Sequence, residues 1–450
     1  MKKVIFIFTL AVLSLLMVSC ALKVKQSSIP QDAQKEIDSR SIALANALTN
    51  GNFNDATKDF DDKMLAALPP QKLEESWKSV TSSIGAYKSV YSVASTGSNG
   101  SYIMNVKLKF ENNGLNVKIT YDKDYKICGL WFNYVDLNNA APSLPSGVTE
   151  EKVTVGDKWR LDGRITMPKS GKNLPLVILV QGSGVHDMDE TVYTNKPFQD
   201  IAYGLAQKGI AVLRYDKRTY TYGNEMGQKS DFTVKDETLD DVIYAIQTAK
   251  KESRIDSNKI YILGHSLGGM LIPRLDSMTK DAAGYIMMAG SVRTLDQIII
   301  DQNNYLLDKQ NLNAEQKAPY EQQLKAEADK LTALMNGEKV TDKIYGMSAC
   351  YMKDLNSFNA YDQAKKMTKP ILVMRGESDF QIYQKDFDLT REAFSGNSKA
   401  VFKSYPGLNH LFMEYKGGDP SVEGTVNEYS YPAHVSQNAI DDIGDFVLKK

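Results

Sequence analysis

The sequence predicts an α/β fold with a mainly parallel sheet, preceded by a smaller α+β domain. Short, mostly apolar runs that read as buried strands recur beyond residue 150, at Leu176 to Val180, Ile210 to Tyr215, Ile260 to Leu263, Gly284 to Met288, Ile371 to Met374 and Ala400 to Tyr405. Strands apolar on both faces belong to sheets covered on both sides by helices, and helix-like stretches separate most of these runs. Upstream the pattern differs, with helical spacing first and a period of two afterwards. Between the two regions, Asn138 to Gly147 carries Pro142, Pro145 and small residues, the composition of a linker. A chain of 450 residues also exceeds one ordinary core.

Lys2 and Lys3 precede the apolar stretch Val4 to Val18, which ends at Ser19-Cys20. A charged start, an apolar run and a small residue before the cut read as a secretory signal over residues 1–20. Met17-Val18-Ser19-Cys20 is similar to a bacterial lipobox, so Cys20 is expected to become a lipidated first residue. The expected location is a membrane-anchored lipoprotein of the bacterial cell envelope, with ordinary cleavage and export as the alternative.

Residues 32–137 are expected to form the small α+β domain, whose role the sequence leaves open. Asp32 to Asn50 has helical spacing, Phe53 to Leu68 suggests a second amphipathic helix, and Pro69-Pro70 opens a third containing Leu73 and Trp77. Runs around Tyr87 to Ala94, Tyr102 to Phe110, Leu115 to Tyr121 and Ile127 to Val135 then alternate as a strand meander. Asn105 and Asn133 read as ordinary positions on strand faces, with the lining of a concave ligand site as the alternative. Residues 138–150 are the linker.

Residues 151–450 form the larger domain. Glu151 to Met167 reads as two antiparallel strands before the buried runs begin. After Met288 the pattern is interrupted, because Gln297 to Lys343 is rich in Gln, Lys, Glu and Ala, with Leu324, Leu331 and Leu334 at helical spacing. This is expected to be a helical cap insertion over about residues 292–356, covering the ends of the strands, with a charged, solvated helix pair that has no part in substrate binding as the alternative.

Net charge is −1 from 54 basic and 55 acidic residues, without a long basic run, so nucleic acid is not an expected partner. Membrane association is expected through the lipid anchor only. Cys128 and Cys350 remain outside the anchor, lie in different domains and are not expected to pair. Four His and no paired His or Cys spacing give no support for a metal site.

Gly264-His265-Ser266-Leu267-Gly268-Gly269 follows directly on the run Lys259 to Leu263. A buried strand running through Gly-x-Ser-x-Gly into a helix is the context of a nucleophile elbow, which makes Ser266 the candidate reacting residue. A serine hydroxyl needs a positioned base, and the base an orienting acid. His410 follows the last apolar run in a turn-prone loop and is the favoured base, with His434 the main competitor. His265 faces away from Ser266 along the backbone and is expected to pack beside the elbow. For the acid, Asp379 lies past the run Ile371 to Met374, with Glu377 as its substitute; a turn or helix cap is the competing role for Asp379.

On Gly264 to Gly269, Gly376 to Asp379 and Asn409-His410, residues 151–450 resemble the α/β-hydrolase superfamily, in the branch of bacterial secreted esterases and prolyl-oligopeptidase-related hydrolases. The resemblance implies a catalytic triad of Ser266, Asp379 and His410 in that chain order. Gln181-Gly182-Ser183-Gly184 matches the family's oxyanion loop with Gln181 in place of the usual His. This implies the backbone N–H groups of Ser183 and Leu267 as oxyanion donors. Asp216-Lys217-Arg218 resembles the family's Asp-x-Arg-Gly segment, with Thr219 in place of Gly. Asp187, Asp189 and Glu190 have the look of a metal cluster but are expected to be a polar loop pairing with Lys217 or Arg218.

The resemblance implies a serine hydrolase that cleaves carboxylic esters of modest size, small or polymer-linked, through an acyl-enzyme and without a cofactor. A serine peptidase of the same fold and a non-catalytic surface binding protein that keeps the fold are the alternatives.

Overall fold

The computed structural model describes residues 31–414, 429 and 431–449, apart from residues 83, 99, 100, 112, 136, 138–142, 310 and 311. The leader read at residues 1–20 and the lipidation expected at Cys20 lie outside the described residues.

The N-terminal unit is four helices on a four-stranded meander. Helix α1 (Gln31–Thr49), α2 (Phe53–Ala56), α3 (Asp62–Ala67) and α4 (Pro70–Thr81) precede β1 (Tyr87–Ser98), β2 (Ser101–Phe110), β3 (Gly114–Tyr121) and β4 (Ile127–Val135). The strands pair antiparallel in the order β1-β2-β3-β4. Met104, Val106 and Leu108 of β2 and Leu115, Val117 and Ile119 of β3 turn to the helices and form the core with Ile37, Leu73 and Trp77. Asn105 lies on the other face, where its side chain accepts from the Asn116 amide at 2.9 Å.

The second helix expected over Phe53 to Leu68 is two helices. Ile127 donates its N–H to Asp59 and accepts from Asp61 at 2.8 and 2.9 Å, so Asp59 to Asp61 is drawn onto β4. The Asp61 carboxylate then caps α3 through the Met64 N–H at 2.6 Å.

The larger unit is built on an eight-stranded sheet in the order β12-β11-β10-β9-β7-β8-β6-β5. Its strands are β5 (Val148–Val155), β6 (Leu161–Pro168), β7 (Leu174–Val180), β8 (Ala211–Tyr215), β9 (Ile255–His265), β10 (Gly284–Met288), β11 (Ile371–Gly376) and β12 (Ala400–Tyr405). Pairing is antiparallel at β5–β6 and β6–β8 and parallel from β8 to β12. Strand β5 starts at Val148, inside the segment read as linker, because Val148 pairs with Pro168 and is buried.

Helices cover both faces. They are α5 (Pro197–Gln207), α6 (Arg218–Thr221), α7 (Gly223–Gln228), a π-helical turn (Lys235–Leu239), α8 (Asp240–Ala249), α9 (Leu267–Met270) and α10 (Ile272–Met278). There follow α11 (Leu295–Lys309), α12 (Ala314–Met335), α13 (Ala349–Asn356), α14 (Ala360–Ala364), α15 (Gln384–Ala393) and α16 (Gln437–Leu448). Leu176, Ile178 and Val180 of β7 enter one core layer, with α8 and α10 residues, while Val177 and Leu179 enter the other with residues of α5 and α16. That split explains why β7 is apolar at successive positions. Helices α11, α12 and α13 lie between β10 and β11, where the cap was expected; α12 starts from an Asn313–Gln316 capping box and buries Leu324, Leu331 and Leu334.

Candidate active site

Strand β9 delivers Ser266 to the head of α9 in a backbone conformation of φ 53° and ψ −118°. For a non-glycine residue such a conformation costs on the order of 1–3 kcal/mol and needs a frame that enforces it. The Ser266 N–H donates to Met288 O at 2.9 Å and its carbonyl accepts from Met270 N at 3.0 Å, so the neighbouring strand and the new helix hold the turn from both sides. A methyl group on Gly264 would strike the Gly268 backbone, and one on Gly268 would strike the Val180 carbonyl. Both glycines of the motif are therefore steric requirements.

His410 and Asp379 come from the loops after β12 and β11. Asn409 shapes the first loop, its side-chain carbonyl accepting from Leu411 N and Met413 N at 3.0 and 3.1 Å. Gly376 packs so closely on the Leu408 and Asn409 carbonyls that no side chain fits there, which brings the two loops together. Asp379 Oδ1 accepts from Gln381 N and Ile382 N at 2.7 and 3.1 Å, while Oδ2 accepts from His410 Nδ1 at 2.7 Å. Asp379 thus caps a turn and orients the imidazole at once. Donation from Nδ1 leaves His410 Nε2 as the acceptor. Both residues are buried.

The loop after β7 faces the elbow. A Cβ on Gly182 would lie 3.0 Å from Ser266 Cβ and 3.5 Å from its Oγ, so the bare backbone is what lets the loop reach Ser266. The Gly182 N–H donates to Glu190 Oε1 at 2.6 Å, and its carbonyl accepts from Lys217 Nζ at 2.6 Å. The Ser183 carbonyl accepts from His186 Nε2 at 2.7 Å. Among the described residues no protein acceptor takes the N–H of Ser183 or of Leu267. Gln181, where the family pattern has His, donates instead to the Tyr215 carbonyl at 2.5 Å and ties the loop to β8.

His265 is packed beside the elbow as expected, and it is also a tie. Its Nε2 donates to the His410 carbonyl at 3.0 Å, and its Nδ1 lies 2.9 Å from Glu190 Oε2 in a buried ion pair whose geometry is off-axis for a hydrogen bond. Burial alone would push the His265 pKa down, but the Glu190 charge holds it above the ordinary value. Burial would likewise raise Glu190, and the charge of His265 holds it below the usual carboxylate range. His186, with burial dominant, is pushed down and stays neutral.

The carboxylates after β7 are engaged, though not by the cations the sequence suggested. Asp189 pairs with Arg214 at 2.9 Å and Lys196 at 3.1 Å, Asp187 accepts from its own loop at Asp189 N and Thr191 N, and Glu190 turns inward to His265. Lys217 pairs with Glu237 at 2.6 Å and Arg218 with Asp241 at 2.5 Å, partners lying in the π-helical turn and α8. Spacing along the chain could not show that these helical acids pass under the loop. Glu377 points away, accepting from Ser404 Oγ at 2.7 Å, and His434 is exposed beside Asp200 at 3.1 Å. Cys128 is exposed and Cys350 half-buried, both as free thiols.

A cavity of about 620 Å³ opens over the elbow and is lined by Ser183, Ser266, Leu267 and His410 on its floor. Cap residues Leu295, Ile298, Ile299, Tyr345, Met347 and Tyr351 form much of its wall. Gln302 of α11 donates to the Gln381 carbonyl at 2.9 Å, which joins the cap to the loop that carries Asp379. The arrangement offers a serine at a strained turn, an imidazole held by a carboxylate, and two open N–H groups around one apolar chamber. Those are the parts of an acyl-transfer site.

Residues 185–415 match a family model described as serine aminopeptidase, S33, and residues 42–130 match one described as a protein of unknown function, DUF3887. The chain is 31% identical over 424 residues to esterase EstD of Thermotoga maritima, covering 92% of this chain and 95% of that protein. Among solved structures it is similar to Est1E from Butyrivibrio proteoclasticus, at 16% identity and a TM-score of 0.41, over 66% of this chain and 99% of that one. It is also similar to the Pyrococcus furiosus esterase Pf2001, at 13% identity and a TM-score of 0.39, over 67% of this chain and 91% of that one.

Proposed function

The chain belongs to the α/β-hydrolase family as a carboxylesterase-type serine hydrolase, and we propose that its reaction runs through Ser266, His410 and Asp379, with the N–H groups of Ser183 and Leu267 as oxyanion hole. The observation that carries this reading is the buried 2.7 Å contact of His410 Nδ1 with Asp379, made in loops that open on the same cavity as Ser266. Ser266 Oγ attacks the ester carbonyl carbon while its proton passes to His410 Nε2. Asp379 stabilises the imidazolium, and the tetrahedral oxyanion is received by the two N–H groups. The carbon–oxygen bond to the alcohol then breaks, with His410 returning the proton to the departing oxygen. Water repeats the sequence on the acyl-Ser266 ester, and the acid leaves.

The cavity wall favours esters with apolar acyl groups over peptides with a free amino terminus. An α-ammonium group needs an unengaged carboxylate, and the acidic residues lining the cavity among the described residues are Glu190 and Glu237. Each is committed, to His265 and to Lys217. Small esters and acyl groups carried on polymers both present the required carbonyl. A fluorophosphonate probe tests the reading: stoichiometric attachment at Ser266, located by peptide mass, is expected. Attachment elsewhere or none would sink it.

We also propose that the enzyme is exported and anchored. The charged start, apolar run and Met17-Val18-Ser19-Cys20 support a lipidated Cys20 that holds the enzyme at the cell envelope. Cys20→Ala is expected to release the protein from membranes, and continued membrane association would refute the anchor.

A further inference from the structure

A lysine is buried under the oxyanion loop, and the triad does not use it. Lys217 is 2% exposed, and burying an ammonium costs several kcal/mol unless its partners are close and well aligned. Its Nζ has two such partners, the Gly182 carbonyl and Glu237 Oε1, each at 2.6 Å. The other Glu237 oxygen accepts from the Tyr351 hydroxyl at 2.5 Å, and Glu237 and Tyr351 are themselves buried. Tyr351 belongs to α13 of the cap and lines the cavity.

The Gly182 carbonyl and the Ser183 N–H are the two ends of one peptide unit. Because that unit is planar and trans, fixing the direction of the carbonyl fixes the direction of the N–H on its opposite side. A cation on the carbonyl oxygen also draws electron density along the amide, which makes the N–H a stronger donor. Glu190 holds the preceding N–H, that of Gly182, at 2.6 Å, so the loop is gripped on both sides of Gly182.

Resting on the assignment of Ser183 to the oxyanion hole, we propose that Lys217 is a positioning residue for that hole. It orients and polarises the Gly182–Ser183 peptide, and Glu237 and Tyr351 tie it to the cap. The contribution is made when the oxyanion forms, so its loss lowers kcat more than it raises KM.

The charge-neutral pair Lys217→Met with Glu237→Gln tests this without leaving a lone buried charge. With p-nitrophenyl acetate the proposal expects a fall in kcat of about fivefold or more at a KM within about twofold of the parent, given that small misplacements at such sites cost large factors. A smaller fall in a variant that melts like the parent overturns it. Should the pair fail to fold, Tyr351→Phe removes one hydroxyl from the far end of the chain. A kcat lowered by about threefold or more, again at nearly constant KM, supports the relay, and a smaller change overturns it. Fluorophosphonate attachment at Ser266 in the parent separates failure of this proposal from failure of the triad itself.

Discussion

His265 grips the backbone carbonyl of His410 at 3.0 Å, although 145 residues separate the two in sequence. The residue before Ser266 thus holds the loop that carries His410, and through Glu190 it is linked to the Gly182 N–H in the loop after β7. One buried imidazole connects the three segments to which the proposed acyl transfer is assigned. Its value depends on its charge.

The Glu190–His265 pair predicts a pH dependence. His265 titrates above its unfolded value, so its contribution is full below about pH 6.5 and is lost as pH rises through the folded pKa. Glu190 titrates below its unfolded value, so its contribution is present above about pH 4.3 and is lost as pH falls through the folded pKa. The stabilisation is therefore greatest between those limits. Melting of Glu190→Gln against the parent across pH 5 to 9 should show the largest deficit near the acid end of that range. A deficit that grows with pH would contradict the assignment.

Gly182→Ala introduces a carbon 3.0 Å from Ser266 Cβ and 3.3 Å from Glu190 Oε1. Neither neighbour is free to retreat. A loss of about 1–3 kcal/mol in stability and a fall in kcat of at least tenfold or so are expected. Chemical denaturation and steady-state kinetics check both, and a parent-like variant would mean the loop is less tightly packed on the elbow than described.

Asp379→Asn retains the shape of the acid but reverses the hydrogen-bond preference at His410 Nδ1. The expected result is a folded protein with kcat lower by about four orders of magnitude. Full activity in the variant would move the orienting role elsewhere. Because Asp379 also accepts from Gln381 N and Ile382 N, a modest drop in melting temperature should accompany the loss.

His434→Ala serves as the contrast. The imidazole is exposed beside Asp200 and outside the cavity lining, so kcat/KM should stay within about twofold of the parent. A large loss measured with a small ester would return His434 to the list of candidate bases.

The parallel sheet was legible because its inner strands are apolar on both faces, as Leu176 to Val180 shows in dividing between two core layers, whereas Ala400 to Tyr405, read as buried, is the edge strand β12 and leaves Val401, Lys403 and Ser404 exposed. The placement of Ser266, Asp379 and His410 in the loops past the ends of β9, β11 and β12 was legible because the apolar runs mark where each strand stops, and there α/β sheets open their clefts. The break in the helix near Phe60 was not, since it depends on hydrogen bonds to Ile127 in a strand far along the chain. Lys217, Glu237 and Tyr351 come from three separate segments without shared period or motif. The hint available was chemical: Lys217 sits between the buried run ending at Tyr215 and a turn, a place where an ammonium must find a partner inside. Which partner it finds is a property of the helix that passes beneath.

The most direct test of the account is the steady-state turnover of p-nitrophenyl acetate by Ser266→Ala beside the parent. Loss of the nucleophile should lower kcat by several orders of magnitude, to the residual level that an oxyanion hole and binding alone sustain, with the melting temperature preserved. Equal turnover by a folded Ser266→Ala protein would contradict acyl transfer at this serine.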